Sequence, residues 1–275
     1  LGKNIHLCSL PSRYYICYYI LHAKSIMGTK PLYYLFIVLL LTCFGQTISQ
    51  NNEGDKMIGF TLSPLIPIDY FGAGPLLLEN NFSNIELSSK IGYQFGMLMR
   101  NTKSKNISLE SGILFCRRNF KFIGENNFIS SSNTDVGDFG YINYAFPLNA
   151  LVFIQLSDNM HMNTSLGAEL DFYASAVASK SSQNLIHHYS ERARWINGSV
   201  NASIGVELRD KNAGIFYIGS QVNIPISTIL VTRFKYYYAG SGGDFDDYEA
   251  AFLRGNYFNI QLKYFLPLSM EKTKN

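Results

Sequence analysis

From Gly198 to Ile226 apolar and polar side chains alternate along the chain. Gly198, Val200, Ala202, Ile204, Val206 and Leu208 take one side, with Ser199, Asn201, Ser203, Gly205, Glu207 and Arg209 on the other. After Asp210–Gly214 the pattern resumes, Phe216, Ile218, Val222, Ile224 and Ile226 standing against Tyr217, Gly219, Gln221 and Asn223. A period of two predicts strands with one apolar and one polar face. The short Asn- and Gly-bearing connection makes them an antiparallel hairpin.

Six further segments carry the same period. They are Lys56–Ser63, Glu86–Arg100, Ile107–Arg118, Tyr141–Gln155, His161–Phe172 and Tyr257–Phe265. Pro147 falls inside the fourth strand of the resulting series and predicts a bulge or a strained edge there. With the hairpin the strands number eight, and the connections alternate between long and short. The long ones are the Pro- and Gly-rich stretch after Ser63, then Asn119–Phe139, Tyr173–Ile196 and Ser227–Asn256.

The two faces differ in kind. Glu86, Lys90, Arg100, Glu110 and Arg118 fall on the polar face, as do Glu169, Asp171, Glu207, Arg209 and Lys263, and the apolar face carries no charge in these strands. A soluble sheet has to cover its apolar face with a second layer, and the chain offers no helix or further strands to do so. Closing the sheet leaves lipid outside, a polar interior inside and every backbone group bonded. The expected fold is therefore all-β: an eight-stranded antiparallel up-and-down transmembrane β-barrel with short periplasmic turns and long extracellular loops. In a barrel of that size side chains fill the interior, so the ten charges are expected to form a paired polar network rather than a conducting pore.

Composition agrees. Of 275 residues 47% are hydrophobic but only 16% are charged, against about a quarter in ordinary soluble domains. Met27-Gly28-Thr29-Lys30, the apolar run Leu32–Phe44 and Thr47-Ile48-Ser49 have the layout of a signal peptide spanning residues 27–49. Residues 1–26 then precede the true start, and residues 50–275 form the barrel domain. Residues 1–49 carry four basic residues and no acid, which leaves nineteen bases and twenty acids in the remainder. A nucleic-acid partner is not implied. Cys116 alone remains of the four cysteines, so an intrachain disulfide and a cysteine metal site are both excluded from that part. It is expected as an inert packing residue.

The signal peptide, the loop alternation and strand texture such as Tyr141-Ile142-Asn143-Tyr144-Ala145-Phe146-Pro147-Leu148 resemble the small outer-membrane β-barrels of Bacteroidetes, the PorT-like group, over Lys56–Leu268. The resemblance implies an outer-membrane location, lipid and the barrel-assembly machinery as partners, and an extracellular or periplasmic protein partner. Barrels of this kind commonly end on an aromatic residue, whereas here ten residues follow Phe265.

For chemistry, His187-His188-Tyr189-Ser190-Glu191 places a His two residues from a Ser with a carboxylate beside it. It also resembles the His-x-Ser element of outer-membrane lipid A deacylases, which implies His188 as base and Ser190 as nucleophile. That family sets the pair on a barrel strand near the carboxyl end and follows Ser with Asn, whereas here Glu191 follows and the stretch reads as a loop. An ordinary polar loop is the expectation. Asp244, Asp246 and Asp247 lack the spacing of a calcium loop, and Tyr236, Tyr237 and Tyr238 fit an aromatic belt. The expected function is non-enzymatic, without a cofactor or a metal: envelope integrity, adhesion or surface interaction through the outer loops. The alternatives are a lipid A deacylase-like hydrolase and a narrow solute channel.

Overall fold

A computed structural model describes residues 56–70, 73–80, 83–126, 134–174, 176–210, 212–237, 245–248 and 250–267. Residues 1–26 and 27–49, Tyr238, Asp244 and the tail lie outside the described residues.

Fourteen strands are described. In order they are β1 (Lys56–Pro67), β2 (Leu76–Glu79), β3 (Ser83–Ser104), β4 (Ile107–Asn126), β5 (Thr134–Gln155), β6 (Met160–Tyr173) and β7 (Val177–Lys180). There follow β8 (Ile186–Arg192), β9 (Ile196–Asp210), β10 (Gly214–Pro225), β11 (Leu230–Tyr237), β12 (Phe245–Asp247), β13 (Ala251–Leu253) and β14 (Tyr257–Phe265). The expectation of eight is thereby corrected. Six short strands, β2, β7, β8, β11, β12 and β13, occupy stretches read as loops, and β4 and β5 run far into the connection between them. Segments of three to eight residues give too few repeats of a period-two pattern to stand out from their Ser, Gly and Asn neighbours.

The main antiparallel sheet runs β1-β14-β10-β9-β6-β5-β4-β3-β2, and β1 pairs with β3 as well. Each of the eight long strands therefore has a partner along both edges. The β9–β10 hairpin keeps one register from Gly214↔Asp210 to Pro225↔Ser199. Asp210 Oδ1 accepts the Asn212 and Ala213 amides at 2.7 and 2.8 Å, and Gly214 supplies the turn's φ of 90°, a value that a side chain resists. Pro147 makes no bulge. The β4–β5 ladder omits the pairs opposite Phe146 and Pro147, where an N–H is missing, and resumes in the same register at Leu114↔Ala145.

Facing matters more than count. Along the lower part of β3, β4 and β5 the exposed side chains are apolar, Phe95, Met97, Ile113, Phe146 and Leu148 among them, and this belt continues round the sheet through Leu170, Val200, Ile218, Leu262 and Phe60. Buried behind it are Gln94, Arg100, Glu110, Asn149, Glu169 and Glu207. Beyond the belt the polarity inverts. Ile85, Leu87, Phe120, Phe122, Phe139 and Tyr141 are buried, while Glu86, Lys90 and Glu125 turn outward. The chain thus has two storeys, one apolar outside and polar inside, the other built like an ordinary soluble protein.

On β3 the change of storey involves a register shift against β4 between Lys90 and Tyr93. A bulge exchanges which residues of a strand face inward. It is the reason that Glu86 and Lys90, expected inside with Arg100, are outside. Lys90 reaches Asp138 at 3.2 Å on the surface.

The second sheet, β12-β11-β8-β7 with β13 also on β11, belongs to the upper storey. Ile186, Leu230, Phe234 and Tyr236 from β8 and β11 join the core of Ile85, Phe122 and Phe139, so that this sheet faces the tall β3–β5 wall. Asp135 on β5 fastens the β7–β8 turn. Its carboxylate accepts from the hydroxyls of Ser181 and Ser182 and from the amides of Gln183 and Leu185.

Candidate functional site

Eight of the ten predicted interior charges are inside, divided between two clusters. In the first, on the inner faces of β3, β4, β9 and β14, Arg100 is fully buried. Its Nη1 donates to Glu207 at 2.8 Å, and its Nε and Nη2 donate to Glu110 at 3.3 and 3.0 Å. Lys263 donates to the other oxygen of Glu110 at 2.5 Å, and Arg209 Nε to Glu207 at 2.6 Å. The Arg100 guanidinium lies 4.0 Å over the Phe265 ring and 5.5 Å from Phe153, which Arg209 covers from 4.6 Å. Buried charge is tolerable only with such multiple pairing. Period two places Phe153 and Phe265 on the inward side of their strands but does not show which charge they meet across the interior.

The second cluster is nearer the upper storey. Asp171 accepts from Asn143 at 2.6 Å and from Ser199 at 3.2 Å, and Glu169 accepts from Asn223 at 3.4 Å. Arg118 donates to the Gly255 carbonyl and stacks 4.9 Å from Tyr257. Between the clusters lie amides, with Gln221 accepting from Asn259 and Gln261. Cys116 is buried on β4, paired in register with Gln94 and Asn143.

The His188 segment is a strand, not the loop expected. On β8, Ile186, His188 and Ser190 point inward and pair across to Tyr236, Phe234 and Thr232. His188 Nε2 lies 2.6 Å from Ser190 Oγ, Ser190 contacts Thr232, and Ser179 Oγ lies 3.0 Å from His188 Nδ1. The imidazole stacks on Phe139 at 3.8 Å. Its pKa is pushed down to about 4 by burial. Glu191 is on the opposite face, 3.9 Å from Arg233, so the carboxylate does not orient the histidine. His188 and Ser190 are 2% and 0% exposed, and a substrate has no approach to the hydroxyl in this arrangement. Thr232 and Ser179, the other members of the group, were missed; the alternation of Thr232, Phe234 and Tyr236 with Arg233 and Lys235 is the pattern that marks their strand.

Tyr236 is buried in the upper core, not in an aromatic belt, and Asp247 lies 3.8 Å from Lys235. Among the described residues there is no group of three or more His, Cys, Asp or Glu placed to hold a metal ion.

No protein family matches this chain, and no curated protein does. Solved structures do. The outer membrane protein OprG from Pseudomonas aeruginosa matches over 78% of this chain and 96% of its own, with 9% identity and a TM-score of 0.43. The outer membrane protease OmpT from Escherichia coli matches over 78% and 96%, at 11% and 0.28. An outer membrane channel from Pseudomonas putida F1 matches over 79% and 99%, at 9% and 0.26. Among the described residues the chain is an all-β antiparallel protein.

Proposed function

We propose that this chain is a bacterial outer-membrane barrel of the small Bacteroidetes type, non-enzymatic, acting at the cell surface through its upper storey in envelope integrity or interaction. In this reading the eight long strands close into a barrel through the β1–β3 pairing, from Lys56↔Asn101 to Leu65↔Gly92. The observation that carries it is the inversion of polarity along the wall. On β4 the exposed belt runs from Ile107 to Phe115, and water-facing residues begin at Arg117. These nine residues are about the length of a tilted strand that crosses a bilayer. A soluble protein has no use for so large an exposed apolar surface.

The long connections go to the cell exterior and the short turns to the periplasm. The interior is blocked twice, by the Arg100 cluster and by the apolar core above it, which favours a structural role over conduction. The outer-membrane fraction run on a gel with and without boiling tests the barrel: the unboiled band migrates differently, and an unshifted band in a soluble fraction overturns the reading. Purified protein in planar bilayers gives no single-channel steps, and Ser190→Ala leaves lipid A profiles unchanged. Channel steps revive the channel reading, and altered lipid A revives the hydrolase.

A further inference from the structure

Charges on the outer wall of β3, β4 and β5 are layered. The apolar belt ends in four aromatic side chains packed in a row, stacked, tilted and T-shaped in turn. Tyr93 and Phe95 lie 6.4 Å apart, Phe95 and Phe115 5.0 Å, and Phe115 and Tyr144 5.9 Å. In the next rows come cations. Arg117 pairs in register with Tyr93, Asn119 with Lys90, and Lys121 with Ser88 on one side and Asp138 on the other. Acids gather further out, Glu86 opposite Ile123 and Glu125 opposite Asn84. Within the cationic rows Asp138 is the single carboxylate against three cations, and Lys90 Nζ holds it at 3.2 Å.

Arg117 is also held in place. Its Nε donates to Asn119 Oδ1 at 3.3 Å, and Asn119 Nδ2 donates to the Ile91 carbonyl at 2.9 Å. The guanidinium lies over Gly140, where a Cβ would come within 2.8 Å of Nε and 2.9 Å of Nη2. A glycine floor and an amide on Nε leave the Nη edge of an exposed guanidinium free to meet a ligand, with Lys90 in the next row of the ladder and Lys121 in the one after. A guanidinium edge flanked by ammonium groups suits a phosphate, and aromatic rings at the rim of an apolar belt suit the glycerol and upper acyl level of a bilayer. The order apolar, aromatic, cationic, acidic matches the order of a phosphate-bearing lipid surface: cations at phosphate depth, acids displaced into water.

We infer that Arg117, Lys90 and Lys121 bind the phosphate headgroup of an outer-leaflet membrane lipid whose acyl chains lie on Tyr93, Phe95, Phe115 and Tyr144. This rests on the outer-membrane reading above. The site would anchor the tall wall, and with it the upper storey, at a fixed height on one side of the barrel.

The test uses the full chain in non-ionic maltoside micelles, with native mass spectrometry of bound dioctanoyl phosphatidic acid. Dioctanoylglycerol and inorganic phosphate serve as separate comparisons. The triple variant Arg117→Gln, Lys90→Gln, Lys121→Gln touches two exposed side chains and one half-buried one, all on the outer wall. At about 1 kcal/mol per cation near an anionic lipid surface, phosphatidic acid binds the variant at least about tenfold more weakly, and dioctanoylglycerol binds both proteins alike. Equal affinity of both proteins for phosphatidic acid overturns the site. Inorganic phosphate binding as tightly as the lipid overturns the lipid as its ligand. The boiling gel, run on the same samples, fails separately if the barrel reading itself is wrong.

Discussion

Arg100 meets Glu207 at 2.8 Å although 107 residues separate them and their strands, β3 and β9, stand four pairings apart in either direction. The contact spans the interior. Removing the guanidinium strands Glu207 and Glu110 with Arg209 and Lys263 alone. Arg100→Ala is expected to lower stability by about 3–5 kcal/mol, the usual consequence of breaking a buried ion pair on one side. Arg100→Lys, which keeps the charge without the fork, falls between the two. Urea unfolding in lipid vesicles measures both, and wild-type midpoints for Arg100→Ala would show that the interior is wet enough to solvate the orphaned acids.

His188 confers a pH dependence on the upper storey. Burial lowers its pKa from 6.5 to about 4, so between those values the unfolded chain binds the proton and the folded chain does not. Stability is full above pH 6.5 and falls as pH approaches 4, by about 3 kcal/mol in all. His188→Leu removes this slope and leaves the Ser190–Thr232 contact in place. Unfolding midpoints of the two proteins between pH 4 and 7 check it; parallel curves count against a buried neutral imidazole.

Asp135 acts in the opposite direction. Burial pushes its carboxyl up, but the donors from Ser181, Gln183, Ser182 and Leu185 outweigh that and hold it below the usual range. Its stabilisation is present above the unfolded carboxyl pKa and is lost as pH falls through the lower folded value. Asp135→Asn keeps the shape but offers one acceptor oxygen instead of two. Hydrogen exchange at the Gln183 and Leu185 amides is expected to quicken several-fold, with the amides of the main sheet unaffected.

Gly137 is where Phe122 lies against β5. A Cβ there would come 2.1 Å from Cζ of Phe122, a ring already set against Phe234 at 5.3 Å and His188 at 5.7 Å. Gly137→Ala is expected to destabilise by about 1–3 kcal/mol through overpacking. The double variant with Phe122→Leu regains part of it, as thermal unfolding would report.

How much of this was legible in the sequence depends on the length of the pattern. The Gly198–Ile226 alternation and the inward placement of Arg100, Glu110, Glu207 and Lys263 could be read because a dozen residues of strict period leave one choice of face. Glu86 and Lys90 could not, since a bulge between Lys90 and Tyr93 reverses the face without changing the apolar count. His188 and Ser190 lay on a seven-residue strand whose partner, β11, is some forty residues away, so local composition read as loop. Phe120 and Phe122 continue the inner face of β4 beyond Arg118. There an apolar residue takes the inward position that a charge holds lower down, which breaks any rule tied to one solvent.

That exchange gives β4 an unusual mutational map. Phe115 and Lys121 share the same side of one unbroken strand, six residues apart. In the outer-membrane reading an aspartate at the first would face hydrocarbon and at the second water, while a leucine would be at home at the first and adhesive at the second. Sequence drift along this strand is therefore filtered by two opposite hydropathy rules, with the changeover at Arg117.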